Sequence, residues 1–140
     1  MEKTPLRDAF TQRGDRFFLL DKGLKNAGFA ETLELLEVGC AGGEASKHLL
    51  GKGFTKLTAI DIDAAVLECA RECVPSCRFI CADACALPFA DESFDGVFSE
   101  AAFAVIPDKA AAVAEYARVL RSGGRFLLND FALRKPTMTE

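Results

Sequence analysis

The chain has 140 residues, half of them hydrophobic and 27% charged, which is enough for one buried core. Its 17 Lys and Arg against 21 Asp and Glu leave a net charge of −4 without a basic cluster, so the electrostatic footprint of a nucleic-acid or anionic-membrane binder is missing. No apolar run approaches the ~20 residues of a membrane span and no signal-peptide core opens the chain; a single-domain cytoplasmic protein is expected.

Taken in chain order, the segment from Asp15 to Gly28 places Phe17, Leu20 and Leu24 on one helical face and ends at a glycine cap. Strands are expected at 33–38, 56–61, 77–81, 94–99 and 124–130, and helices at 44–51, 64–74 and 109–121. Asp63 is placed to cap the helix from Ala64 to Val74. Asp108 caps the last helix, with Val113, Tyr116, Ala117 and Leu120 as its buried stripe and Gly123-Gly124 as its stop. Strand and helix alternation of this kind predicts an α/β fold, a doubly wound and mainly parallel Rossmann-like sheet of about five strands, with its ligand outside the carboxyl ends of the strands.

The turn after the first strand, Glu37-Val38-Gly39-Cys40-Ala41-Gly42-Gly43, has the composition of a nucleotide cradle, because glycines let backbone approach a ligand and the following helix offers unpaired N–H groups. The dinucleotide fingerprint fails here: counting from Gly39, the third position is Ala41 and the sixth is Glu44. Glu44 in the first helical turn would also repel a pyrophosphate, so a cationic or zwitterionic ligand fits better. Asp61, 22 residues after Gly39 at the end of the second strand, is positioned to hold ribose hydroxyls.

Four segments in order resemble the class I S-adenosylmethionine-dependent methyltransferases, in particular the small-molecule methylases related to ubiquinone-biosynthesis enzymes. They are Leu36-Glu37-Val38-Gly39-Cys40-Ala41-Gly42-Gly43, Ala59-Ile60-Asp61-Ile62-Asp63, the stretch from Asp83 to Phe98 with Leu87-Pro88-Phe89 and Ser93-Phe94-Asp95, and Arg118-Val119-Leu120-Arg121-Ser122-Gly123-Gly124-Arg125. The resemblance implies S-adenosylmethionine as cofactor. It places Gly39, Cys40 and Ala41 along the methionine half, with Gly43 of the same turn among the cofactor-binding residues, Asp61 on the ribose, Ile62 against adenine, and Asp83 with the backbone of Ala84 at the adenine edge. Ser99 would lie beside the methionyl group, and Glu37 would orient the loop and the ammonium side. Ala41 stands where the family usually has a third alternating glycine; a negative φ there would accommodate its methyl, with Gly42 supplying flexibility. Phe89 and Phe94 are expected to pack under the adenine loop.

Methyl transfer is an in-line displacement that needs alignment more than a universal catalytic residue. Glu100 is the best candidate base, beside the plainer reading of a solvated carboxylate that begins a short helix. The apolar stretch Ala101-Ala102-Phe103-Ala104-Val105 favours an apolar or intrinsically nucleophilic small-molecule acceptor, and the amino-methylase signature is absent from Ser99-Glu100-Ala101-Ala102. His48, one turn from Glu44, reads as a partly exposed helix residue.

Five of the six cysteines, Cys69, Cys73, Cys77, Cys81 and Cys85, recur at every fourth position but on different elements, with Cys77 and Cys81 along one strand, and no Cys-x-x-Cys pair occurs. No metal site is expected; reduced, mostly buried thiols are. Cys40 and Cys85 should border the cleft, which leaves a thiophilic, arsenite-like acceptor as a minor alternative.

The expected organisation is an N-terminal helical lid at 1–28, with Phe10, Arg13, Phe17 and Phe18 over the cofactor or in the core, a Rossmann-like core at 29–131 and a tail at 132–140. The resemblance leads one to expect a further helix and an antiparallel hairpin after the fifth strand, which this chain is too short to hold; a longer parent chain or a homodimer would then cover that edge. Besides a methyltransferase, two classes remain: a non-catalytic module that binds S-adenosylmethionine or S-adenosylhomocysteine as a partner subunit, and a nicotinamide-binding domain, which the failed fingerprint disfavours.

Overall fold

The computed structural model describes residues 17–129. Helix α1 (Phe18–Asn26) leads into strand β1 (Leu35–Val38), followed by α2 (Glu44–Gly51), β2 (Leu57–Asp61), α3 (Ala64–Cys73), β3 (Arg78–Cys81), β4 (Phe94–Glu100), a 3-10 turn (Phe103–Val105), α4 (Lys109–Val119) and β5 (Leu120–Asn129). The described strands form one parallel sheet in the order β3-β2-β1-β4-β5. Chain order therefore reverses between β1 and β4, and their diverging connections open a crevice at the carboxyl ends of these strands.

Burial on both faces explains the continuous apolar runs. In β1, Leu36 and Val38 join the cluster that holds Tyr116 and Val119 of α4, whereas Leu35 joins Leu20, Leu24, Leu49 and Phe98 under α1 and α2. Ala59 and Phe79 meet Leu67 and Ala70 of α3 on that second face. Period-two alternation thus sends Glu37, two residues after Leu35, toward the α2 side.

The caps act as the sequence predicts. Asp63 accepts from the N–H groups of Ala65 and Val66, and Asp108 from that of Ala111, filling donors the first turn leaves open. His48 contacts the Asp21 carboxylate at 2.8 Å and stacks on Phe17, pinning α2 to α1.

Several expectations are corrected. The buried stripe of α4 is Ala112, Tyr116 and Val119, and Val113 and Ala117 face solvent. The helix stops at Val119 because Leu120 turns extended, ψ 134°, and pairs with Phe94, so β5 begins four residues early and carries Gly123, φ +82°, within it. Glu100 is the last residue of β4 rather than the start of a helix, and Cys77 precedes β3. The thiols are not mostly buried: Cys69, Cys73 and Cys81 are exposed, Cys77 and Cys85 intermediate, and Cys40 buried. Phe10, Arg13 and the tail at 132–140 lie outside the described residues. Within them β5 is an edge strand, with Leu128 exposed. No described helix is long and apolar enough to cross a membrane.

Candidate functional site

The crevice is a cavity of about 420 Å³ bounded by the segments that leave β1, β2, β3 and β4. Gly39 begins its floor. The N–H groups of Gly39 and Cys40 both donate to the Ile60 carbonyl, at 2.9 and 3.0 Å, which bends the chain off β1 across β2. Gly39 has φ +79°, and a Cβ on it would lie 2.4 Å from the Cβ of Ala102. Only glycine meets both demands without displacing the opposite wall.

At Ala41 the expected backbone sign is reversed. Its φ is +47°, whereas the adjacent Gly42 has no positive φ. The cause is the Asp61 carboxylate: Oδ2 accepts the Ala41 N–H at 2.9 Å while Oδ1 accepts the Asp63 N–H at 3.0 Å. A bond from the Gly43 N–H to the Cys40 carbonyl at 3.0 Å closes the turn. Left-handed backbone costs a side-chained residue ~1–2 kcal/mol, and two hydrogen bonds hold Ala41 in it. Asp61 ties the turn to the end of β2, and its oxygens keep acceptor capacity toward the cavity.

The expected residues separate into wall and support. Gly39, Ala41, Asp61, Ile62, Asp83, Ala84 and Glu100 line the cavity. Ile62 is 71% exposed and stands at the lip. Asp83 folds back so that Oδ1 accepts the Cys85 N–H at 2.8 Å, which shapes the loop after β3, and Phe89 meets Phe94 edge-on at 5.0 Å beneath it. Glu37, Cys40, Gly43 and Ser99 stand behind the wall. The Cys40 side chain points into the cluster of Ala59, Leu67 and Phe79; burial, followed by the negative charge of Glu37 and Asp61, drives its thiol pKa far above the usual range. Gly43 caps α2 with φ +84°. Ser99 is buried, and its hydroxyl has no hydrogen-bond partner among the described residues. Cys85 packs beside the α4 cluster, with Sγ 3.4 Å from the Asp108 carbonyl.

Glu37 is 1% exposed and accepts the Ser46 hydroxyl at 2.6 Å. Burial pushes its pKa up to about 8, the negative charges of Glu100, Glu44 and Asp61 add to the rise, and the Ser46 bond opposes it. Ser46 escapes sequence reading because a serine in an amphipathic helix ordinarily faces water. The other unforeseen walls are apolar: Val38, Ile60, Ala82, Ile106 and Pro107 join Ala101, Ala102 and Val105. Asp61, Asp83 and Glu100 are the charged lining groups among the described residues, an acidic, otherwise apolar site suited to a ligand bearing hydroxyls and positive charge. No group of three or more potential metal ligands occurs among the described residues.

A family model described as a methyltransferase domain matches residues 36–128. The chain is 35% identical over 107 residues to Methyltransferase GfsG of Streptomyces halstedii, across 72% of this chain and 38% of that protein. It is 34% identical over 113 residues to O-methyltransferase cnsE of Penicillium expansum, across 76% and 41%. It thus spans about two fifths of the length of these curated relatives. A crystal structure described as a putative methyltransferase from Bacillus halodurans C-125 superposes with a TM-score of 0.74 at 29% identity, over 84% of this chain and 52% of the other.

Proposed function

The chain belongs to the class I S-adenosylmethionine-dependent methyltransferase family, and from this we propose that it transfers a methyl group from S-adenosylmethionine to a small molecule. The observation that carries the reading is the switch-point cavity, in which Asp61 anchors the glycine turn from one side and faces the ligand space from the other. The chain's residues fit this cofactor: the backbone cradle at Gly39 has no room for a Cβ, and the charged groups on the described wall are acidic.

In this reading Asp61 receives the ribose hydroxyls and Ile62 covers a face of adenine. The Asp83 carboxylate and the Ala84 N–H meet the adenine edge. The backbone of Gly39, Cys40 and Ala41 lines the methionine half, with Gly43 fixing the turn. The unpartnered Ser99 hydroxyl supports the methionyl side, and Glu37, through Ser46, holds the loop from behind. When bound, the cofactor supplies a sulfonium methyl and leaves as a neutral thioether. The protein's part is to align the acceptor and exclude water. Ala101, Ala102, Val105 and Ile106 offer an apolar acceptor wall. Glu100, on the same wall, takes the acceptor's proton where one must leave. Relatives named as O-methyltransferases make an oxygen acceptor the first to test.

The reading includes one domain at 29–131, cytoplasmic residence, and a second copy or further chain over the β5 edge; of the segment at 1–28, the described part, α1, packs Leu20 and Leu24 into the core and lines none of the cavity. Incubation with methyl-labelled cofactor and a panel of oxygen, nitrogen, sulfur, carbon and arsenic acceptors tests it. Label on an acceptor is expected; cofactor bound with no label transferred would favour a cofactor-binding module instead.

A further inference from the structure

We infer that Arg118, on α4 and outside the cavity, is a positioning residue for the adenine-facing wall; the inference rests on the function proposed above. The wall at Asp83 and Ala84 belongs to the long connection between β3 and β4. A loop exposed to ligand on one side needs a second anchor to keep its shape. Arg118 supplies it through a forked set of bonds. Nη1 donates to the Phe89 carbonyl at 2.7 Å and Nη2 to the Leu87 carbonyl at 3.0 Å, while Nη1 also reaches Asp91 Oδ1 at 2.9 Å. Nε and Nη2 both engage Glu115 Oε2, at 3.0 and 2.6 Å, which holds the guanidinium in plane.

The backbone reinforces the clamp. The Glu92 N–H donates to the Arg118 carbonyl at 3.0 Å and the Ser93 N–H to the Val119 carbonyl at 2.8 Å. From Leu87 the constraint reaches the wall in one step, because the Ala86 N–H donates to the Asp83 carbonyl at 3.0 Å. Two carbonyls flanking Pro88 therefore depend on donors in one planar fork, a geometry that the point charge of a lysine does not reproduce. Exposed ion pairs such as the one with Asp91 contribute little by themselves; the carbonyl bonds fix the loop.

The test is calorimetric binding of S-adenosylhomocysteine and S-inosylhomocysteine, which differ at the adenine 6-position, to the full chain and to the R118K, R118M and E115Q variants. The wild type should prefer the adenosyl ligand. R118K and R118M should lose about tenfold of that preference, the worth of one well-placed hydrogen bond, whereas E115Q, which keeps both carbonyl bonds, should retain it. Thermal unfolding identifies folded variants, and R118K carries the test if R118M does not fold. An unchanged preference in folded R118K, or equal weakening of both ligands, would overturn the assignment. Failure of the wild type to bind either ligand would overturn the proposed function and this inference with it.

Discussion

Replacing Glu37 by glutamine should make the protein more stable, by an amount that grows with pH. Its carboxyl has an ordinary value of 4.5 and is pushed up to about 8 in the fold, chiefly by burial. Below pH 4.5 folded and unfolded chains both carry the proton, and the group costs nothing. Above it the unfolded chain ionises while the fold holds the proton, so stability falls as pH rises and levels off beyond about 8. Each pH unit in that window is worth about 1.4 kcal/mol, so at pH 7 the wild type forgoes about 3 kcal/mol. The Glu37→Gln side chain would keep an acceptor for the Ser46 hydroxyl without titrating. Urea unfolding of both proteins from pH 4.5 to 8.5 should show a stability difference that widens steadily and then flattens. Titrations of groups that do not interact with Glu37 cancel in that difference. A difference that stays constant across the range would refute a neutral, buried Glu37.

Gly39→Ala should abolish cofactor binding and cost about 2–4 kcal/mol in stability, combining the strain of left-handed backbone with a clash against Ala102; calorimetry and chemical unfolding measure both. Ala41→Gly relieves the +47° backbone at the cost of a freer unfolded chain, so stability should change by less than about 1 kcal/mol with binding retained; a loss above that would contradict the strain at Ala41. Thiol labelling followed by mass spectrometry should modify Cys69, Cys73 and Cys81 first and Cys40 last, and equal rates for Cys40 and Cys69 would refute its burial.

Strong local signals made most of the architecture legible. Asp63 and Asp108 announced their helices because a capping carboxylate acts within three residues, and Leu57 to Asp61 read as a buried strand because both faces are covered. The stripe of α4 was misplaced because Lys109 to Val119 is rich in alanine, whose small side chain gives weak periodicity and let Val113 outweigh Ala112. The start of β5 depended on Leu120 pairing with Phe94, a contact 26 residues distant that no local pattern encodes. In the site, the lining positions of Gly39, Asp61, Ile62, Asp83 and Ala84 followed the motif. The sign of φ at Ala41 did not, because a carboxylate on the neighbouring strand sets it. Arg118 lies 29 residues from the carbonyl of Phe89 that it holds, and only the fold brings them together.

Whether the cavity takes an adenosyl ligand without phosphates is decided by calorimetry of the wild-type protein with S-adenosylhomocysteine and, separately, with NAD. Saturable one-to-one binding of S-adenosylhomocysteine is expected, weakened by Asp61→Asn, with no heat from NAD because Asp61, Asp83 and Glu100 on the described wall would repel its pyrophosphate. Binding of NAD without binding of S-adenosylhomocysteine would contradict the proposed function.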